Sequence, residues 1–355
     1  MKHRIGFIGY GNMGGGYHWE VAHDRTDVCD DLKPVAVFDF RESQRKLAEE
    51  RGMKAYDNFD DFIAHEDMDI VVVACGNNFH CEMTCRALEA GKHVICEKPV
   101  AMTLEEFDKM VETAKRCGKH FFVHQNRRMD VDFLIVKKAY EEGRLGNIAD
   151  IESNFKGGYM GGWRLLEDHG GGILYDWGVH LIDQIVYLID RPVVDVRAYL
   201  RSETVSQVDD RSIIEFTFDN GVHARVVVSG HFLVDGPRFA VYGDKGALWV
   251  DEIYKNKGTL RESIIEGEKP KTVTAYSAEG AYEREIVEYD LGLRRVEFPD
   301  DGTTFDQDWA VLYKNMLDTI DGNDEMIVKY DHVRTVLSII LAAFESSKTG
   351  KTITL

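Results

Sequence analysis

Three short stretches of this 355-residue chain hold side chains able to do chemistry. The first is Glu97-Lys98-Pro99, which closes the apolar run His93-Val94-Ile95-Cys96. That run reads as a buried strand, and Pro99 both stops it and confines Lys98 to extended backbone. A cis Lys98–Pro99 bond would aim the lysine sharply. In open α/β sheets ligands bind at the C-terminal edge of the strands. A lysine fixed there can hydrogen-bond a substrate oxygen and stabilise an alkoxide-like charge. Taken alone, the tripeptide would be read as a strand-end salt bridge.

The second stretch is GGGILYDWGVHLID, residues 170 to 183. Asp176 and His180 are four apart, so on a helix they share a face. Histidine is the side chain best suited to taking a hydroxyl proton near neutral pH. A carboxylate one turn away can orient the imidazole or bind substrate. Asp183 reads either as a third member or as a solvated helix charge. The three glycines ahead of the pair favour close approach of a ligand.

The third is Gly9-Tyr10-Gly11-Asn12-Met13-Gly14, between a strand and a helix. Such a turn lets the backbone approach a pyrophosphate, and the helix N-terminus supplies N–H groups and partial positive charge. Asp39 closes the next strand, 25 residues beyond Gly14, with TDVCDDLKP as an extra loop. Its carboxylate would accept hydrogen bonds from the adenosine ribose hydroxyls, which favours NAD over NADP. Arg41 pulls the other way, since it could meet a 2′-phosphate.

The elements that must position these groups change character along the chain. Strands are expected at Arg4–Gly9, Val35–Asp39, Ile70–Ala74, His93–Cys96 and His120–Val123. Helices are expected between them near Asn12–His23, Glu42–Arg51, Phe59–His65, Phe79–Ala90 and Leu104–Cys117. Alternation of this kind predicts a doubly wound parallel sheet, a Rossmann domain over residues 1–127. Residues 128–355 read as an α+β domain with a mainly antiparallel open sheet for substrate binding and oligomerisation. In it, helix Asp132–Glu142 precedes the strand IADIESNF, and a helix near Ile173–Ile189 follows the glycines. The runs RSIIEFTF and VHARVVVSGHF flank Asp219-Asn220-Gly221, a strong hairpin signal. FAVYG and ALWV suggest a second hairpin around GDKG. Residues 251–305 are polar and predict edge strands or an inserted arm. Helices near Asp306–Ile320 and Asp331–Ser347 close the chain.

Bulk properties narrow the function. Hydrophobic residues make up 44% of the chain and aromatic residues 11%, enough for sizeable cores, and 30% charged residues suit a soluble surface. With 43 basic and 62 acidic side chains, the net charge of −19 argues against nucleic acid and anionic membrane partners. It makes neutral substrates the simpler expectation. No apolar run approaches a bilayer span, and the chain begins directly in a strand. Cys29, Cys75, Cys81, Cys85, Cys96 and Cys117 form no metal-binding pattern, and reduced thiols in a cytoplasmic protein are expected. No metal is expected.

The motifs taken together resemble the Gfo/Idh/MocA oxidoreductases, a family that includes glucose–fructose oxidoreductase and inositol dehydrogenases. The resemblance rests on Gly9-x-Gly11-x-x-Gly14, Asn77-x-x-His80, and Gly91-Lys92-His93-Val94 with Glu97-Lys98-Pro99. It extends to Gly171-Gly172…Asp176-x-x-x-His180 and to the closing segment through Ala342, Ser346, Gly350 and Lys351. It implies an NAD(P)-linked enzyme acting on a secondary alcohol of a sugar, sugar derivative or inositol. Lys98, Asp176 and His180 match the catalytic positions, and Trp163-Arg164 resembles a position near nicotinamide and substrate. Implied cofactor contacts are Gly9, Gly11, Asn12, Met13, Asp39, Arg41, Cys75, Asn77, His80, Glu97, Lys98 and Asn126. Cys75-Gly76 stands where many members have Thr-Pro, and Gln125-Asn126-Arg127-Arg128 fits the crossover between domains. The open sheet suggests a homodimer or homotetramer. Two other readings stay open: a glycosidase- or lyase-type enzyme using transient oxidation by held NAD, and a non-catalytic NAD-binding sensor.

Overall fold

The computed structural model describes residues 3–157, 161–203, 207–230, 236–265, 271–276, 284–289 and 292–355. Its first sheet contains β1 (His3–Ile8), β2 (Leu32–Phe38), β3 (Lys54–Tyr56), β4 (Ile70–Val73), β5 (His93–Cys96) and β6 (Phe121–Val123). All pair in parallel, in the order β3-β2-β1-β4-β5-β6. The order reverses between β1 and β4, and that is where doubly wound sheets open a crevice for ligands. Every residue of Ile70-Val71-Val72-Val73 is buried, so the strand can be an unbroken β-branched run. Five of these strands are those expected. The sixth, Lys54-Ala55-Tyr56, is too short and too polar to show a period.

Helices α1 (Trp19–Asp24), α2 (Glu42–Glu50), α3 (Phe59–Ile63), α4 (His80–Glu89) and α5 (Leu104–Cys117) cover this sheet. The predicted helix over Asn12–His23 is present, but its first turns, Asn12–His18, are wound as a π-helix. Helix α5 fixes the chain leaving Pro99. Thr103 accepts a hydrogen bond from the Glu106 amide at 3.2 Å, and Glu106 accepts one from the Met102 amide at 2.9 Å. Gly118, at φ 60°, ends the helix in the left-handed region.

Beyond the crossover, α6 (Val131–Glu141) leads to β7 (Ile148–Lys156). Helix α7 (Val179–Ile189) is preceded by a second π-wound segment, Leu174–Gly178. A nine-stranded sheet follows, formed by β7 with β8 (Val193–Arg201), β9 (Arg211–Phe218), β10 (His223–Ser229), β11 (Phe239–Gly243), β12 (Gly246–Val250), β13 (Gly258–Ser263), β16 (Leu293–Phe298) and β17 (Ile353–Thr354). It is antiparallel except for the β7–β10 pair. Both expected hairpins form, with Gly221 at φ 87° in the first turn. The extension of the first through His231-Phe232 lies outside the described residues. Within 251–305, β13 and β16 extend the edge of the sheet, and β14 (Lys271–Tyr276) pairs with β15 (Arg284–Tyr289) as a separate two-stranded arm. The rest of the 266–291 stretch lies outside the described residues. No helix is long and apolar enough to cross a membrane among the described residues.

The two cores do not divide at residue 127. Helix α8 (Ala310–Ile320) and the start of α9 (Tyr330–Thr349) return to the first domain, where Ala310, Leu312, Tyr313, Met316, Val333 and Leu337 join the core around β1–β6. Later residues of α9, including Ile339, Ile340 and Ala343, belong to the second core. One helix therefore serves both.

At the crossover Arg128 is buried, and its Nε and Nη2 each donate at 2.7 Å to Asp183 on α7. Its third contact is the Ile327 carbonyl at 3.0 Å. Asp183 is thus not a solvated helix charge but half of a bidentate pair between the crossover and the helix that carries His180. Removing one partner strands a buried charge. Arg128→Leu is expected to lower unfolding free energy by roughly 3–5 kcal/mol in denaturant titration, and Arg128→Leu with Asp183→Leu by less than the sum of the single changes.

Candidate active site

The glycine turn after β1 is shaped by contacts that leave no room for Cβ atoms. Gly9 sits at φ 84°, and a Cβ there would lie 2.6 Å from the Ala74 carbonyl oxygen. A Cβ on Gly14 would lie 2.0 Å from the Gly9 carbonyl oxygen. Around Gly11 the nearest atom is Nη2 of Arg41, at 3.5 Å from the same construction. The turn is therefore closed underneath and open above, with exposed Asn12 and half-buried Met13 at the entrance to the helix. This cradle fits a dinucleotide diphosphate.

Asp39 lies just beyond β2 and is buried. Its Oδ2 accepts from the Tyr10 amide and Arg41 Nη2, each at 2.8 Å. Oδ1 accepts from the Arg41 amide at 2.8 Å and from Arg41 Nε at 3.0 Å. Burial opposes the charge, but the Arg41 guanidinium and the two amides outweigh it and hold the carboxyl below its usual range. The predicted ribose acceptor thus carries a cation of its own, and that cation is partly exposed beside Gly11.

The loop after β4 is pinned from both sides. His80 donates from Nδ1 to the Pro99 carbonyl at 2.8 Å, and its Nε2 lies 3.3 Å from the Cys75 carbonyl. Asn77 donates to the Gly170 carbonyl at 3.3 Å. These side chains hold the walls of the cleft together rather than projecting from them. Asn126, in the short helix Asn126–Met129, is buried.

The Lys98–Pro99 bond is cis. Lys98 Nζ donates to the Asp176 backbone carbonyl at 2.7 Å and to Asp176 Oδ1 at 3.1 Å. Arg164 donates to the same carboxylate, from Nε to Oδ2 at 2.6 Å and from Nη2 to Oδ1 at 3.3 Å. Burial disfavours ionised Asp176, yet Lys98 and Arg164 hold it below the usual carboxylate range. Trp163 packs against the Arg164 guanidinium, 4.6 Å from ring centroid to Cζ. His180 is buried, and its Nδ1 has no hydrogen-bond partner. Burial, then the cationic Lys98 and Arg127, push its imidazole well below the ordinary value of 6.5. Asp176, expected to orient His180 or to bind substrate, is engaged by Lys98 and Arg164 rather than by His180. Two cations compete for one carboxylate, and a neutral imidazole does not.

The description "Oxidoreductase family, NAD-binding Rossmann fold" matches residues 3–125, and "GFO/IDH/MocA C-terminal domain" matches residues 133–249. The chain belongs to the Gfo/Idh/MocA oxidoreductase family. It is 26% identical to scyllo-inositol 2-dehydrogenase (NADP(+)) IolW of Bacillus subtilis, over 99% of this chain and 96% of that protein. It is 29% identical to myo-inositol 2-dehydrogenase of Thermotoga maritima, over 73% and 78% respectively. Among solved structures, an NAD-binding protein from Listeria innocua superposes with a TM-score of 0.85 at 34% identity, covering 100% of this chain and 97% of that one.

As a Gfo/Idh/MocA oxidoreductase the chain uses NAD(P), which supplies the hydride acceptor or donor when bound. Against that background two features of the site were not visible in the sequence. Arg127 lies 4.1 Å over the Trp177 ring and donates to Asp130 and to the Tyr254 hydroxyl. Glu97, expected to touch the cofactor, turns its carboxylate into the interior between His18 and His124. A histidine ending a buried run, as His124 does after Phe121-Phe122-Val123, was the available signal.

Gly14→Ala would press a methyl group into the Gly9 carbonyl. NADH affinity, read by fluorescence titration, is expected to fall about tenfold or more, with a lowered melting temperature in the same variant.

Proposed function

We propose that this oxidoreductase interconverts a secondary alcohol and a ketone on an inositol, sugar or sugar derivative, with Lys98, His180 and Asp176 at the reacting centre. The observation that carries the reading is the contact across domains: an ammonium following β5 meets a carboxylate ahead of α7, one helical turn before a buried imidazole. An ammonium has three N–H donors. Two are committed to Asp176, and the third remains for a substrate oxygen. Arg164 balances Asp176, so the positive charge of Lys98 is available to a developing alkoxide. The neutral imidazole of His180 takes the hydroxyl proton in oxidation and returns it in reduction. The two relatives named as inositol dehydrogenases support a cyclic polyol as substrate.

NADP(H) is accepted alongside NAD(H) in this reading. An uncompensated carboxylate at the end of β2 repels a 2′-phosphate, whereas here Arg41 neutralises Asp39 and presents its exposed edge beside Gly11. The NADP(+) in the name of the Bacillus subtilis relative supports this. Association of subunits through the open sheet is supported by Tyr199 and Tyr242, exposed on its strands, and by Trp249, 5.8 Å from Tyr242 ring to ring.

Screening inositols, aldoses and glycosides for reduction of NAD⁺ and NADP⁺ by absorbance tests the reading, and no turnover with any of them would refute it. Lys98→Ala is expected to lose about 10²-fold or more in turnover while still binding NADH. Arg41→Ala is expected to weaken NADP⁺ binding about tenfold or more and NAD⁺ binding much less, as loss of a charge-assisted contact of about 1.5–3 kcal/mol requires. Because His180 must be neutral to accept a proton, and burial favours the neutral form, the acid limb of kcat/KM for oxidation should fall below pH 6.5.

A further inference from the structure

Behind Lys98 lies a buried group of side chains that the reaction described above does not use. Glu97 Oε1 is 2.9 Å from His18 Nε2 and 2.7 Å from His124 Nδ1, and Oε2 accepts from the Lys98 amide at 3.2 Å. Tyr313, on α8, lies 2.5 Å from His18 Nδ1. His18, His124 and Tyr313 are each 0% exposed and Glu97 is 5% exposed. The chemistry fixes the protons. A carboxylate only accepts, so His18 donates from Nε2 and His124 from Nδ1. His18 Nδ1 is then an acceptor, and the Tyr313 hydroxyl donates to it. His124 Nε2 is left bare and has no partner.

The two nitrogens and the oxygen lie within 4.8 Å of one another, a grouping that also suggests a metal ion. The distances decide otherwise. Both nitrogens stand at hydrogen-bond range from one oxygen, and Tyr313 completes the chain as a donor. Burial alone would raise the Glu97 carboxyl, but donation from His124 and His18 holds it well below the usual range, so the charge persists. The charges that act on His180 are those of Lys98, Arg127, Glu97 and His124, and Asp176 lies one helical turn before it. The titratable groups around Glu97 are His18, His124, Tyr17, His80, Tyr313, Cys96 and His180. Asp176 is taken up by Lys98 and Arg164, which leaves Glu97 as the anion that favours a proton on His180.

We propose that His18, His124 and Tyr313 lock Glu97 as a permanent carboxylate behind Lys98, and that this fixed negative charge supports the proton His180 takes up during turnover. Glu97 and its two histidines are positioning residues that act through His180 and Lys98, and they do not hold the cofactor. The inference rests on the assignment of His180 as the proton acceptor.

The test compares wild type with Glu97→Gln, His124→Asn and His124→Leu. The variants are read by pH profiles of kcat/KM for polyol oxidation, by NADH titration, and by nitrogen-15 NMR of the histidine rings in the resting enzyme. An asparagine places an N–H where His124 Nδ1 donates, and leucine does not. Glu97→Gln is expected to keep NADH affinity, lose about tenfold or more in turnover, and move the acid limb to lower pH. The sign follows from the charge: without the anion, protonated His180 is less stable. His124→Asn should recover most of what His124→Leu loses. In the NMR spectra His18 should appear as the Nε2–H tautomer and His124 as the Nδ1–H tautomer, and the His180 titration should move down in Glu97→Gln.

The inference is overturned if Glu97→Gln weakens NADH binding and leaves the acid limb in place. Equal behaviour of His124→Asn and His124→Leu, or stoichiometric metal in the purified protein, would also overturn it. The NMR readout needs no substrate. Unmoved His180 titration therefore sinks this inference alone, whereas an inactive wild type sinks the assignment of the reaction.

Discussion

A buried charge must find a partner, and in this protein the partners lie in different domains. Lys98 follows a strand of the first sheet, and Asp176 precedes a helix of the second. Neither can be left unpaired at this depth without a penalty of several kcal/mol. The same constraint binds Arg128 to Asp183 a short distance away. The relative placement of the two sheets is thereby tied to two ion pairs, and both involve the segment Leu174–Ile189 that carries His180. Geometry of the cleft and stability of the interface are one problem here. The chain solves it with an arginine and a lysine alongside the apolar face of α9, which serves both cores.

Charge balance also sets the local potential of the cleft in an acidic protein. The overall charge of −19 acts over distances at which salt screens it. Inside the cleft the inventory is local: Lys98 and Arg164 against Asp176, Arg127 against Asp130, Arg41 against Asp39. The cleft is thus less negative than the surface, and its cations are each matched to a carboxylate at close range.

Much of the fold was legible because it rests on patterns with a period. The β-branched run Ile70–Val73, the Asp219-Asn220-Gly221 turn and the glycine spacing each declare a local structure without help from elsewhere. Lys54–Tyr56 did not, since three residues cannot display alternation. The Lys98, Asp176 and His180 positions were legible as types. Their pairing was not, because which acceptor a lysine reaches depends on packing between segments 78 residues apart in the chain. The preference of Asp176 for Arg164 and Lys98 over His180 is an electrostatic competition among side chains brought together only by the fold. Glu97 shows the same limit more sharply. Glu97 was expected among the cofactor contacts, yet alternation along extended backbone turns the side chains of Glu97 and Lys98 to opposite sides. His18 and His124 then gave the inward-facing carboxylate its donors.

Helix α8 packs into the core of the first sheet although nearly two hundred residues of the second domain separate it from β6. On a ribosome the first six strands emerge long before that helix does. The nucleotide-binding half must therefore wait with part of its apolar surface uncovered until α8 has been made. Its closing follows the strands β7–β16 of the second domain, and the order of the sequence is not the order in which the first core becomes whole.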